Sequence, residues 1–131
     1  MISDLKQQEC YELLTSTTVG RVGFVLDDRV QIFPVNYVVS GHDLLVRTSS
    51  DGILRDLADE GARVAFEIDY HDDLVGTGWS VLMHGALALV PEDEVPAVVG
   101  RVSPWAGNER AVPLRFRIET IFGRRVRRDR N

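Results

Sequence analysis

The chain has 131 residues, 44% of them hydrophobic and 27% charged, with a formal net charge of −5. That length suits one globular domain with its own core. No apolar stretch is long enough for a membrane span, and the N-terminus lacks a basic-then-apolar signal pattern. Cys10 is the only cysteine, which excludes an internal disulfide and makes the cytoplasm the expected location.

Residues 4–16, DLKQQECYELLTS, predict an opening helix with Asp4 as cap and Gln7 as its reciprocal partner. VGRVGFVL (19–26) and VQIFPVNYVV (30–39) flank Asp27-Asp28 as a hairpin. The second strand carries two residues that suit a sheet poorly. Pro34 cannot donate to a ladder, and Asn36 belongs to a type depleted from strand interiors. A period of two puts Asn36 on one face with Ile32, Pro34 and Val38. After the SGHD turn come the strand LLVRT (44–48) and a helix over about 51–60 that buries Ile53, Leu54, Leu57 and Ala58.

RVAFEIDY (63–70) reads as a strand, HDDLVGTG as a turn, and WSVLMHGALALV (79–90) as a long strand bent at Gly85. Beyond Pro91, Val95, Val98, Val99 and Val102 have the spacing of an amphipathic helix, with Pro96 in its first turn. In the closing strand, PLRFRIETIF (113–122), Leu114, Phe116 and Ile118 alternate with Arg115, Arg117 and Glu119. Sequential strands, short turns and few helices predict a mainly β, antiparallel sheet closed or nearly closed into a barrel, with two or three peripheral helices. No repeat or linker divides residues 1–131, so a single domain is expected.

The usual catalytic constellations are missing. His42, His71 and His84 lack metal-ligand spacing with each other or with Cys10, so no metal site is expected. GTGWSV is a turn before a strand rather than a dinucleotide fingerprint, and there is no nucleophile elbow or P-loop. Residues 114–131 hold 7 basic against 2 acidic side chains and end in an apparent basic tail over about 124–131. The other 113 residues hold 8 against 18, an acidic body that would repel a phosphate backbone, which argues against nucleic-acid binding. Asn36 remains as a polar group on an apolar strand, and Arg47, Thr48, Ser49 and Ser50 lead into a helix. These four residues suit an anion such as a phosphate. The same pattern equally fits Ser50 or Asp51 acting only as a helix cap.

VGRVGFVLDDRVQIFPVNYVV, LLVRTSS, RVAFEID, GWSVLMHG and PWAGNERAVPLRFRIETIFGRR stand in the order and spacing of the pyridoxamine 5′-phosphate oxidase-like proteins. From about residue 9 to 126 the chain resembles the small actinobacterial members of this flavin-binding family. The resemblance implies a six-stranded antiparallel split β-barrel and a homodimer with two flavin sites between its subunits. It implies an oxidoreductase acting on a small-molecule substrate, with FMN as cofactor or, alternatively, the deazaflavin coenzyme. Carried over position by position, the cofactor would lie against Arg21, Pro34, Val35, Asn36, Arg47, Thr48, Ser49, Ser50, Trp79, Ser80 and Val81. Trp105 would arrive from the other subunit. The proton donor is not identified by this pattern; Tyr37 and His84 are candidates. One position departs: where relatives carry a lysine for the flavin phosphate, this chain has Ile53, with Asp51 close by. Loss of a charge-assisted hydrogen bond costs about 1.5–3 kcal/mol, which leaves a non-catalytic ligand-binding barrel as the competing reading.

Overall fold

Alternation between apolar and polar residues decides most of the architecture. In the computed structural model, which describes residues 1–49, 52–95 and 111–128, the strands are β1 (Ile2–Leu5), β2 (Val19–Leu26), β3 (Arg29–Ser40), β4 (Asp43–Ser49), β5 (Arg63–Asp72), β6 (Thr77–Leu89) and β7 (Ala111–Arg127). Among the described residues two helices, α1 (Gln7–Leu13) and α2 (Ile53–Asp59), accompany them, with 3-10 turns at Leu14–Ser16 and Glu92–Glu94. All pairings are antiparallel, in the order β1-β7-β4-β3-β2-β5-β6, and β6 returns to β7. Strands β2 to β7 therefore close a six-stranded ring, the mainly β split barrel expected from the sequence. β1 is a seventh strand, added where Ile2–Leu5 pairs with Gly123–Val126 of β7.

Two expectations for the termini are corrected. The opening helix does not begin at Asp4, because Ile2–Leu5 is drawn into the sheet. α1 starts at Gln7 instead, and the Glu9 carboxylate accepts a hydrogen bond from the Lys6 backbone N–H at 3.2 Å. Nor are residues 124–127 part of a tail: they continue β7, where 124–126 pair with both β1 and β6 and Arg127 pairs with Thr77 of β6. The valine-rich helix expected after Pro91 falls mostly outside the described residues, which show only the Glu92–Glu94 turn and Val95.

The β2–β3 hairpin turns at Asp27 and Asp28, both with positive φ (53° and 63°), the conformation that matches the twist of a two-residue turn. Pro34 has a simple place here. β2 pairs with β3 along its whole length, whereas β4 joins only from Tyr37 onward. Pro34 thus occupies the half of β3 that has one strand neighbour among the described residues, where a missing N–H is tolerated.

Inside the ring Phe66, Phe116, Ile68, Val81, Met83, Leu44, Val46 and Leu114 are essentially inaccessible. The Phe66 ring lies 5.5 Å from Tyr37 and 5.4 Å from Phe116. α2 closes one end by burying Leu54 and Ala58 in this core. Tyr37 also ties the core to the N-terminal segment, since its hydroxyl donates to the Leu14 carbonyl at 2.6 Å. Burial pushes the Tyr37 hydroxyl up to about 12, above the unfolded value of about 10. The folded state thus holds this proton between those two values while the unfolded chain releases it. Stability from this source is complete below pH 10 and is lost as pH rises towards 12, by up to about 2–3 kcal/mol. Tyr37→Phe is expected to flatten that alkaline limb in denaturant titrations. At neutral pH it should cost about 1–2 kcal/mol for the carbonyl left without a partner.

Candidate ligand site

Strand parity sorts the candidate residues. Val35 and Val81 belong to the core, at 9% and 0% exposure, so only their backbone can reach a ligand. Thr48 and Trp79 share their inward parity but stand half-buried towards the barrel ends, and Trp79 packs on the core. Arg21, Pro34, Asn36, Arg47 and Ser80 have the opposite parity and belong to the outer face. Asn36 indeed shares that face with Ile32, Pro34 and Val38, while Val35 and Tyr37 point inward. Ser49 is placed as the last residue of β4; Ser50, Asp51 and Trp105 lie outside the described residues.

The outward residues fall into one row across the barrel wall. Asn36 and Arg47 follow directly on the Tyr37–Val46 pair, Val19 lies opposite Asn36, Asp69 lies opposite Ser80, and Ser80 lies opposite Arg124. Val19 and Asp69 take the next same-face positions after the Arg21–Glu67 pair. Arg47 and Ser80 are thus four strand spacings apart, about 19 Å around a curved surface. Arg47 buries its Nε. Ile53, by contrast, is half-buried against the core and offers nothing polar at the start of α2.

Near Ser80 the wall is hollowed. A cavity of about 390 Å³ is lined by Asp69, Tyr70, Gly78, Trp79, Ser80 and Arg128 among others. A second, of about 380 Å³, lies between Ser16, Thr17 and the same Asp69, Tyr70 and Trp79. Gly78 forms part of the first, where a Cβ would come within 3.1 Å of the Tyr70 carbonyl. A larger hollow of about 560 Å³ lies at the other end, between the end of α2 and Gly23, Ala65, His84 and Gly85.

Three side chains of this region were not singled out from the sequence: Glu67, Asp69 and Tyr70. Their signal was the alternation in EIDY, which puts both acids on one face of a strand. Arg21 Nη1 lies 2.9 Å from Glu67 Oε1 and 3.1 Å from Asp69 Oδ2, so this arginine is engaged by carboxylates. Neither candidate proton donor touches the row. Tyr37 is buried with its hydroxyl committed to Leu14. His84 is exposed and stacks on Phe122.

Residues 6–125 match the family model described as pyridoxamine 5′-phosphate oxidase. The chain belongs to that family. An uncharacterized protein of Mycobacterium tuberculosis is 31% identical over 130 residues, covering 95% of this chain and 86% of that one. The solved structure of an FAD binding protein from Mycobacterium smegmatis is also 31% identical; the match has a TM-score of 0.76 and covers 97% of this chain and 100% of that one. An FAD-binding protein from Mesorhizobium loti, at 22% identity, shares the fold with a TM-score of 0.79 over 95% of this chain and 96% of that one. This member of the pyridoxamine 5′-phosphate oxidase family shares its fold with the two solved structures over 97% and 95% of its length. Among the described residues no helix is long and apolar enough to cross a membrane.

Proposed function

We propose that the protein is a flavin-dependent oxidoreductase that binds its cofactor on the outer wall of the barrel, in a cleft completed by a second copy of the chain. The observation that carries this reading is the row of outward residues from Arg47 and Asn36 to Ser80, ending in hollows beside Trp79. A barrel with no ligand has little use for polar groups half-buried on its wall. In this reading Asn36 and Ser80 hydrogen-bond the ring, Trp79 supplies apolar surface beside it, and Arg47 faces the phosphate end. The flavin, when bound, supplies the electron transfer; the protein orients it and excludes water.

Wall residues also support the second copy. Val25, Val30 and Ile32 are 66%, 74% and 62% exposed on the same outer face, a contiguous apolar strip of the kind that marks an interaction surface.

FMN and FAD differ where this chain is unusual. The FMN phosphate is a dianion, whereas each phosphate of the FAD diphosphate bridge carries a single charge. Arg47 supplies one cation and Ile53 none, which favours the singly charged phosphate, and the relative from Mycobacterium smegmatis is described as FAD binding. The test is a visible spectrum of the purified protein before and after addition of FMN, FAD or the deazaflavin coenzyme. A retained, shifted flavin band is expected, with FAD taken up at least as tightly as FMN. Uptake of the deazaflavin alone would make the protein a deazaflavin-dependent reductase. A colourless protein that takes up none of the three would overturn the reading in favour of a non-catalytic barrel, for which the apolar Ile53 already speaks.

A further inference from the structure

On the outer face of β5, Glu67 and Asp69 are two residues apart and point the same way. Arg21 of β2 bridges them with a single guanidinium nitrogen, at 2.9 and 3.1 Å. Two carboxylates and one cation leave this cluster one negative charge in excess. Opposite Glu67 on β6 is Leu82, half-buried and apolar. The other charged or titratable groups of this face are occupied elsewhere or stand farther along it. Arg63 is bridged by Glu119, His71 lies 3.7 Å from the Asp73 carboxylate, His84 faces Ala65, Arg124 lies beyond Ser80, and Arg128, which shares a hollow with Asp69, donates to the Asp73 carbonyl at 2.8 Å. Asp69 itself lines both hollows beside Trp79.

We propose that Glu67 and Asp69 form a proton-holding pair that takes up one proton when a flavin seats beside Trp79 and Ser80. The inference rests on the flavin reading above and adds to it an ionisable partner of the site. A ligand on this wall removes water from two carboxylates that share one guanidinium. Without solvent, both cannot stay ionised cheaply, and one proton shared between them removes the excess charge. The uncovered pair already leans that way: burial pushes the Glu67 carboxyl up, the hydrogen bond and charge of Asp69 push it further, and Arg21 opposes them. With the carboxyl pKa higher in the complex than in the free protein, association binds a proton. Affinity then falls as pH rises from the free value to the bound value and is level below both. The pair, rather than Tyr37 or His84, becomes the titrating group next to the cleft.

Calorimetric titration of the full chain with riboflavin and with FAD, in buffers of differing ionisation enthalpy from pH 5 to 8, tests this. Neither probe carries the phosphate monoester whose own ionisation near pH 6 (roughly) would confuse the result. Uptake of up to about one proton per flavin is expected, with affinity weakening by up to about tenfold per pH unit within the window. Glu67→Gln and, independently, Asp69→Asn should abolish the uptake and flatten the profile while the flavin still binds. Binding with no proton exchanged, or uptake that survives both substitutions, would overturn the pair and leave the flavin reading standing. Failure of both probes to bind, with FMN also refused, would instead remove the flavin reading, and this inference with it.

Discussion

In the dimer proposed above, Ile32→Glu is expected to separate the subunits and to take flavin binding with it. Ile32 and Val30 point outward from β3, opposite Gly23 and Val25 of β2. Gly23 has no side chain and Ala65 beyond it a small one, so Ile32 stands proud of the wall, 62% exposed. Covering a side chain of this size contributes about 1.5–3 kcal/mol. Placing a carboxylate there removes that gain and adds a desolvation cost of several kcal/mol. The dimer should weaken by about three decades or more, equivalent to at least about 4 kcal/mol. The fold of each subunit should hardly change, because an exposed substitution away from special features shifts stability by only about 0.5 kcal/mol.

Light scattering after size exclusion distinguishes the outcomes. Wild type should elute as a dimer and Ile32→Glu as a monomer with an unchanged circular dichroism spectrum. Leu74→Glu, at a site 96% exposed in the β5–β6 turn, should remain dimeric. A monomeric wild type would remove the second copy from the proposed site, and a dimeric Ile32→Glu would move the interface off this strip. In the proposed site, flavin binding depends on the second copy for a geometric reason. The row from Arg47 to Ser80 wraps about 19 Å of convex wall, and a convex surface cannot enclose a planar ring without an opposing surface.

The barrel could be read from the sequence because its signals are local. Alternation in VGRVGFVL and PLRFRIETIF, the Asp27-Asp28 turn and the bend at Gly85 all reappear at their positions, the last as a register shift between His84 and Gly85. The ends of the chain are less legible. Ile2–Leu5 becomes a strand only because β7 offers it an edge, and a partner more than a hundred residues away leaves no trace in a short window. The site divides in the same manner. Parity alone places Asn36 and Pro34 on one wall. The engagement of Arg21 by Glu67 and Asp69, however, depends on how β2 pairs with β5, forty-six residues on. The block GWSV is one unit in the sequence, yet its members face opposite ways: Ser80 outward, Trp79 and Val81 towards the core.

Gly85→Ala is expected to be among the most damaging single substitutions in the chain, although it adds one methyl group. Gly85 is buried at the register shift of β6, and a Cβ built on it would run into the Arg117 carbonyl and approach the Phe116 ring at 3.1 Å. A side-chain neighbour can swing aside, but this obstacle is backbone. Arg117 is held on one edge by its pairing with Asp43 of β4 and on the other by Ala86 of β6, so β7 cannot retreat without breaking a ladder. Phe116 is equally fixed, fully buried and 5.4 Å from the Phe66 ring. Overpacking of this kind costs typically 1–3 kcal/mol, and with the backbone as obstacle we expect at least about 3. For a domain of this size that lowers the melting temperature by about 10 °C. Gly23→Ala is the matched control: its Cβ would meet only the Ala65 Cβ and the Gln31 carbonyl, both at 3.9 Å, ordinary van der Waals contact. Its stability should change by no more than about 0.5 kcal/mol. If the two variants melted together, β6 would be able to slide past β7, and the bulge would be a flexible joint rather than the corner that sets the curvature of the wall.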